Sequence, residues 1–169
     1  MQHNTIRWAV AKDIEVLEHL EIECYGQDQA LNADQLLKRI AEPSCGALVA
    51  TIAGQVIGYL LFHVKTVEDR MIIFRVGVCP LHRRLGWARS LFEKAQAQLQ
   101  YHRQGRCSSI VAVVHERNLP GQLLAKSVGM HLDQIIRGMF DPDDAYVFEK
   151  TMEHVASSRQ NRKSYLAQN

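Results

Sequence analysis

The chain has 169 residues, 47% hydrophobic and 22% charged, with 10 glycines and 4 prolines, which excludes a disordered or collagen-like chain and fits one ordinary domain. Twenty basic against 18 acidic residues leave a formal charge of +2, too balanced for the phosphate-neutralising surface of a DNA binder, so nucleic acid is not an expected partner. Cys24, Cys45, Cys79 and Cys107 lie far apart with no C-x-x-C pair, and neither a signal pattern nor an apolar run near the ~20 residues of a membrane span is present; the expectation is a cytoplasmic protein with free thiols, no metal and no membrane association.

Thr5 to Val10 reads as a strand, after which Asp13 can cap a helix with Ile14, Leu17, Leu20 and Cys24 on one face and Glu15, Glu18 and Glu21 on the other. A second helix follows Asn32, with Leu36, Leu37 and Ile40 on one side and Pro43 beyond its end. Ala47 to Ile52 and Val56 to Val64 are β-rich runs spaced as a hairpin about Ala53, Gly54 and Gln55, and Met71 to Val78 extends them into a meander. Trp87 to Arg103 is helical, burying Ala88, Leu91, Phe92, Ala95 and Leu99. Ser109 to Val114 is a strand that the intervening helix makes parallel to Met71 to Val78, so the sheet is mixed. Asn118 and Pro120 open a helix over Gln122 to Val128 that Gly129 closes; strands over Leu132 to Met139 and Ala145 to Thr151 flank the turn Asp141, Pro142, Asp143, Asp144. One domain over residues 1–153 and a polar tail over 154–169 are expected.

The informative junction is Val76-Gly77-Val78-Cys79-Pro80-Leu81-His82-Arg83-Arg84-Leu85-Gly86-Trp87-Ala88, where a buried strand ends and a glycine-containing loop turns into a helix. Unpaired N–H groups at a helix start, the positive end of the dipole and a glycine that lets a phosphate approach make this an anion-binding arrangement, to which Arg83, Arg84 and Arg89 add charge. Neither G-x-x-x-x-G-K-[ST] nor G-x-G-x-x-G is present. Arg83 to Ala88 instead resembles the [Q/R]-x-x-G-x-[G/A] signature of the GNAT superfamily of acyl-CoA N-acyltransferases, with Val78, Pro80 and Arg83 forming a similar approach. Asn118, Leu124, Gly129 and Met130 resemble the family's second recurring segment. The order of elements is similar too, which implies an α+β fold with a central mixed, mostly antiparallel sheet of about seven strands flanked by about four helices.

The resemblance implies that the backbone of Val76, Gly77 and Val78 binds the acyl carbonyl and pantetheine of acetyl-CoA, with Gly77 marking a β-bulge. It implies that the N–H groups of Arg84, Leu85, Gly86, Trp87 and Ala88 hold the pyrophosphate and that Asn118 contacts the arm. An amine acceptor, peptide or small molecule, attacks the thioester directly, and a group must take its proton. The sequence departs from the family where many members carry a tyrosine acid, at Ala125, and Ile72 and Arg75 offer no base. His115 and Glu116 could relay a proton, or simply be solvated; Tyr146 could be an acid, or simply packed. Arg75 could clamp a substrate carboxylate or pair with an acid, and Cys79 could carry the acyl group or be structural. Asp141, Asp143 and Asp144 could attract a cationic acceptor or serve as turn residues, and His63 and His82 lack a second ligand at metal spacing. The missing acid leaves a second reading open, an acyl-CoA-binding sensor with weak turnover, and a homodimer is also left open.

Overall fold

A computed structural model describes residues 4–102 and 107–152 of the protein. In chain order its elements are β1 (Asn4–Trp8), α1 (Ile14–Tyr25), α2 (Ala33–Ala41), β2 (Cys45–Ile52), β3 (Gln55–Lys65), β4 (Arg70–Val78), α3 (Trp87–His102), β5 (Ser109–His115), α4 (Leu119–Ser127), β6 (His131–Phe140) and β7 (Asp143–Thr151). The expected α+β layout holds. Among the described residues, seven strands form one mixed sheet in the order β1-β2-β3-β4-β5-β7-β6, and only β4 and β5 run parallel. The tail over 154–169, and Arg103 at the expected end of α3, lie outside the described residues.

Local chemistry explains most boundaries. Asn32 accepts a hydrogen bond from the Gln35 N–H (3.0 Å) while the Gln35 side chain accepts from the Asn32 N–H (3.0 Å), a reciprocal cap that starts α2. Asp13 behaves differently from the expectation. Its carboxylate turns back to Arg7 (2.7 and 2.8 Å) and to the Val10 N–H (2.9 Å) rather than capping α1, so the chain leaves β1 at Trp8.

The helices divide between the two faces of the sheet. Leu17, Leu20 and Leu36 of α1 and α2 pack with Val49, Tyr59 and Leu61, and Leu91, Phe92, Ala95 and Leu99 of α3 pack on the other face with Leu60, Met71, Ile73 and Phe148. Burying each large aliphatic or phenylalanine side chain among them contributes roughly 1.5–3 kcal/mol. Two side chains depart from the periodic reading: Leu37 is exposed, and Glu21 is fully buried. Glu21 stands four residues after Leu17, so it belongs to the inward stripe rather than to the face of Glu15.

The feature that positions the site is a bulge in β4. Leu61 pairs with Arg75 and Phe62 with Ile73, leaving Phe74 as the extra residue. The bulge therefore lies at Phe74 and not at Gly77. It turns both Phe74 and Arg75 toward the helix α1 and α2 face, where Arg39 lies over the Phe74 ring (4.8 Å) and Arg75 meets Glu21 (3.5 Å). Pairing of β4 with β5 stops at Ile73 and Ala112, so the strands part at the bulge.

Candidate active site

Beyond the bulge β4 has an open edge. The Cys79 N–H donates to the Ile57 carbonyl (2.8 Å), and facing alternates along an antiparallel ladder, so Gly77 turns its main-chain groups toward β3 while Val76 and Val78 turn theirs toward the gap left by β5. Gly77 supplies space instead of donors: a Cβ there would lie 2.4 Å from the Tyr59 ring. Side chains reach three of the four groups on the edge. The Tyr25 hydroxyl donates to the Val76 carbonyl (2.9 Å) and accepts from the Val76 N–H (3.2 Å). The Val78 carbonyl accepts from Arg83 Nε (2.9 Å) and Cys24 Sγ (3.6 Å). The Val78 N–H has no partner among the described residues.

Past β4, a short turn over Pro80–His82 leads to a loop in which Arg84 (φ 64°) and Gly86 (φ 85°) are left-handed. The Ser90 N–H donates to the Gly86 carbonyl (2.9 Å), so the N–H groups of Trp87, Ala88 and Arg89 precede the first helical donor, and those of Arg84, Leu85 and Gly86 have no main-chain partner among the described residues. Successive free donors, two left-handed residues and a helix start make a donor cradle of a kind that can hold an anion. Its charge is narrower than the three expected arginines: Arg83 is turned to Val78, Arg89 pairs with Glu93 (2.9 Å), and Arg84 makes no ion pair among the described residues.

The wall opposite this edge is held by Glu21. It accepts from the Tyr59 hydroxyl, from the Leu31 N–H (3.0 Å) and lies 3.5 Å from Arg75 Nε. Arg75 also donates to the Gln29 carbonyl (2.8 Å) and lies 4.2 Å over the Tyr25 ring. One buried carboxylate thus ties α1, the following loop, β3 and β4 together. Burial first, and then the Glu21 charge, push the Tyr59 phenol far above its ordinary range; burial raises Tyr25 as well, against the opposing Val76 bond.

The chain matches the acetyltransferase (GNAT) family over residues 14–130, well over half its length. It belongs to that family. A search of curated proteins finds no match. Among solved structures it is similar to the ribosomal-protein-S18-alanine N-acetyltransferase from Escherichia coli (18% identity, TM-score 0.78, covering 92% of this chain and 98% of that one). It is also similar to Arabidopsis thaliana NAA60, solved with a bisubstrate analogue (15%, 0.76, 90% and 99%), and to PaiA N-acetyltransferase from Thermoplasma acidophilum, solved with coenzyme A (16%, 0.75, 88% and 99%). At these identities the likeness shows the fold.

Within this GNAT fold the other expected residues take definite places. Asn118 accepts from the Gly121 N–H (3.0 Å), capping α4 with its oxygen. His115 Nδ1 accepts from the Arg117 N–H (3.1 Å) and Nε2 faces Asp143 (3.4 Å), while the ring stacks on Phe140 (4.8 Å). Both nitrogens are engaged, leaving no lone pair for a substrate proton. Glu116, beside it at the end of β5, is half-buried and its carboxylate has no partner among the described residues. Tyr146 packs against the α3 side of the core, and Ala125 is buried there. Arg75 pairs with an acid, Glu21, rather than standing free as a clamp. Asp143 and Asp144 bond Arg117 (2.5 Å) and Arg137, which offsets the negative field expected of the turn. Among the described residues no group of three His, Cys, Asp or Glu side chains is placed to hold a metal, no disulfide joins any of the four cysteines, and no helix is long and apolar enough to cross a membrane.

Glu21, Tyr25 and Tyr59 are the site residues that the sequence reading missed. The signal for Glu21 was present: a carboxylate at i+4 from Leu17 inside an apolar stripe asks for a buried partner.

Proposed function

We propose that the protein is an N-acetyltransferase that moves the acetyl group of acetyl-CoA to a primary amine of a protein (N-terminus or lysine) or of a small molecule by direct attack. The observation that carries this reading is the junction of an unfilled donor cradle with the open edge of β4. The N–H groups of Arg84, Leu85, Gly86, Trp87 and Ala88 take the pyrophosphate, aided by the Arg84 charge. The Val78 N–H and the Asn118 amide meet the pantetheine arm, with Arg83 bracing the Val78 carbonyl. Acetyl-CoA supplies an activated acyl carbon whose bond to sulfur breaks as the bond to the amine nitrogen forms. The Val76 N–H, the other main-chain donor on the open edge, steadies the oxyanion that develops. Of the three catalytic candidates, Glu116 has the free carboxylate needed to take the amine proton; His115 and Asp143 shape the wall beside it, and Tyr146 backs it from the core. Four cysteines without a disulfide support a reducing, cytoplasmic setting.

Calorimetry with acetyl-CoA tests the reading, alongside Gly86→Asp. That change forces a side chain into a left-handed position and sets a negative charge in the cradle, although the space for a Cβ is open. Binding by the wild type and its loss in the variant are expected; no binding at millimolar acetyl-CoA would defeat the proposal. The engaged nitrogens of His115 and the absence of a hydroxyl at Ala125 favour the sensor as a second reading. It predicts binding without release of CoA in the presence of any amine.

A further inference from the structure

The Tyr25 phenol stands where the acyl group arrives in the reading above, and no step described so far uses it. We propose that Tyr25 Oη is a second hydrogen-bond donor to the thioester carbonyl, acting beside the Val76 N–H. The inference rests on the proposed use of acetyl-CoA. The cradle lies past the C-terminal end of β4, so an arm laid from it along the open edge meets Val78 first and Val76 second, and the acyl group at its tip falls at Val76.

Tyr25 Oη stands beside this position, bonded to both main-chain groups of Val76. It is 3.2 Å from the Val76 nitrogen and 2.9 Å from the Val76 oxygen. A carbonyl oxygen that accepts from the Val76 N–H replaces the phenol as acceptor, and the phenol's rotatable O–H is then free to turn from the Val76 carbonyl to the same ligand oxygen. Among the described residues, no other side-chain hydroxyl bonds the open edge: Tyr59 gives its proton to Glu21, and Ala125 has none to give. The ring is held before the ligand arrives. Arg75 lies over it and is itself fixed by Glu21 and the Gln29 carbonyl, so little reorganisation accompanies the switch. Burial keeps the phenol protonated, as a neutral donor requires. In this arrangement Tyr25 is a catalytic residue, and Arg75 and Glu21 are positioning residues that act through it.

The test uses acetyl-CoA labelled with ¹³C at the thioester carbonyl, bound to the full chain and followed by isotope-edited infrared spectroscopy. Tyr25→Phe retains the ring and its contact with Arg75 and removes only the hydroxyl. The bound carbonyl is expected to absorb at a lower frequency in the wild type than in Tyr25→Phe. The preference for acetyl-CoA over CoA, measured by calorimetry, is expected to fall by up to about tenfold. With an acceptor in hand, kcat should drop by about 10² to 10³ with little change in KM for acetyl-CoA. Arg75→Met leaves the hydroxyl but frees the ring, and should give an intermediate frequency. Equal frequencies and equal preferences in wild type and Tyr25→Phe would overturn the role of Tyr25. Failure of the wild type to bind acetyl-CoA at all would instead sink the cofactor reading, so the two failures are distinct.

Discussion

The loop from Arg83 to Ala88 and the last residues of β4 adjoin each other in the chain, yet they are finished in opposite ways. The loop leaves a run of main-chain donors empty, whereas the edge of β4 has three of its four polar groups taken by Tyr25, Arg83 and Cys24. A free donor at a helix start is still solvated and costs little to leave open. A main-chain group where two strands part is closer to the core, and leaving it unpaired costs about 1–3 kcal/mol. The difference teaches that the cradle is a local property of its own residues, while the edge depends on α1 and the buried Glu21 behind it.

The sharpest way to break that contrast is Glu21→Ala. It strips Arg75, the Tyr59 hydroxyl and the Leu31 N–H of one shared acceptor, and a loss of about 3–5 kcal/mol is expected in urea unfolding. A loss below about 1 kcal/mol would show that the hub does not hold the edge. Gly77→Ala should cost less, about 1–3 kcal/mol, because the new Cβ pushes the Tyr59 ring and its hydroxyl aside and strains the bond to Glu21 while every polar group of the network stays in place. The same unfolding measurement ranks the two.

The contrast also explains what was legible in the sequence. The cradle could be read because its signals are consecutive: Gly86, the basic residues around it and the helix start lie within a few positions, as do Asn118 and Pro120 at the start of α4. Strand and helix order were likewise carried by local periodicity. The α1 hub was hidden because it joins Glu21, Tyr25, Leu31, Tyr59, Arg75 and Val76 across three elements and a loop, and only the tertiary structure brings them together. The bulge was misplaced for a related reason. Gly77 is a small residue that suggests irregular backbone, but its smallness accommodates Tyr59, and the extra residue is Phe74, whose ring packs on the α1 and α2 side.

Arg84 offers a test in which stability and affinity move in opposite directions. Its φ of 64° strains any side chain with a Cβ, so Arg84→Gly should raise the unfolding free energy by up to about 1 kcal/mol while removing the one arginine of the cradle whose side chain has no partner among the described residues. Acetyl-CoA binding should weaken several-fold, and more so at low ionic strength, where an exposed charge is less screened. An unchanged affinity would mean that the main-chain donors alone hold the phosphates.

The smallest expected effect comes from a pair that belongs to neither region, Arg7 and Asp13. The Arg7 guanidinium, opposed by burial and helped by the Val10 N–H, holds the Asp13 carboxyl below its ordinary value. A carboxyl depressed in the folded state contributes stability in full above its unfolded pKa of about 3.9, and loses that contribution as pH falls through the lower folded value. Arg7→Met should therefore destabilise the protein near neutral pH by less than about 1 kcal/mol, since Arg7 is partly exposed, and the gap to the wild type should close below about pH 4. Urea titrations of both proteins across that range check the sign; a gap that widens on acidification would mean that Asp13 is stabilised in its protonated form. Acetyl-CoA binding should be equal in the two proteins near neutral pH, because the pair braces β1 against the start of α1 and supplies nothing to the cradle or to the edge of β4.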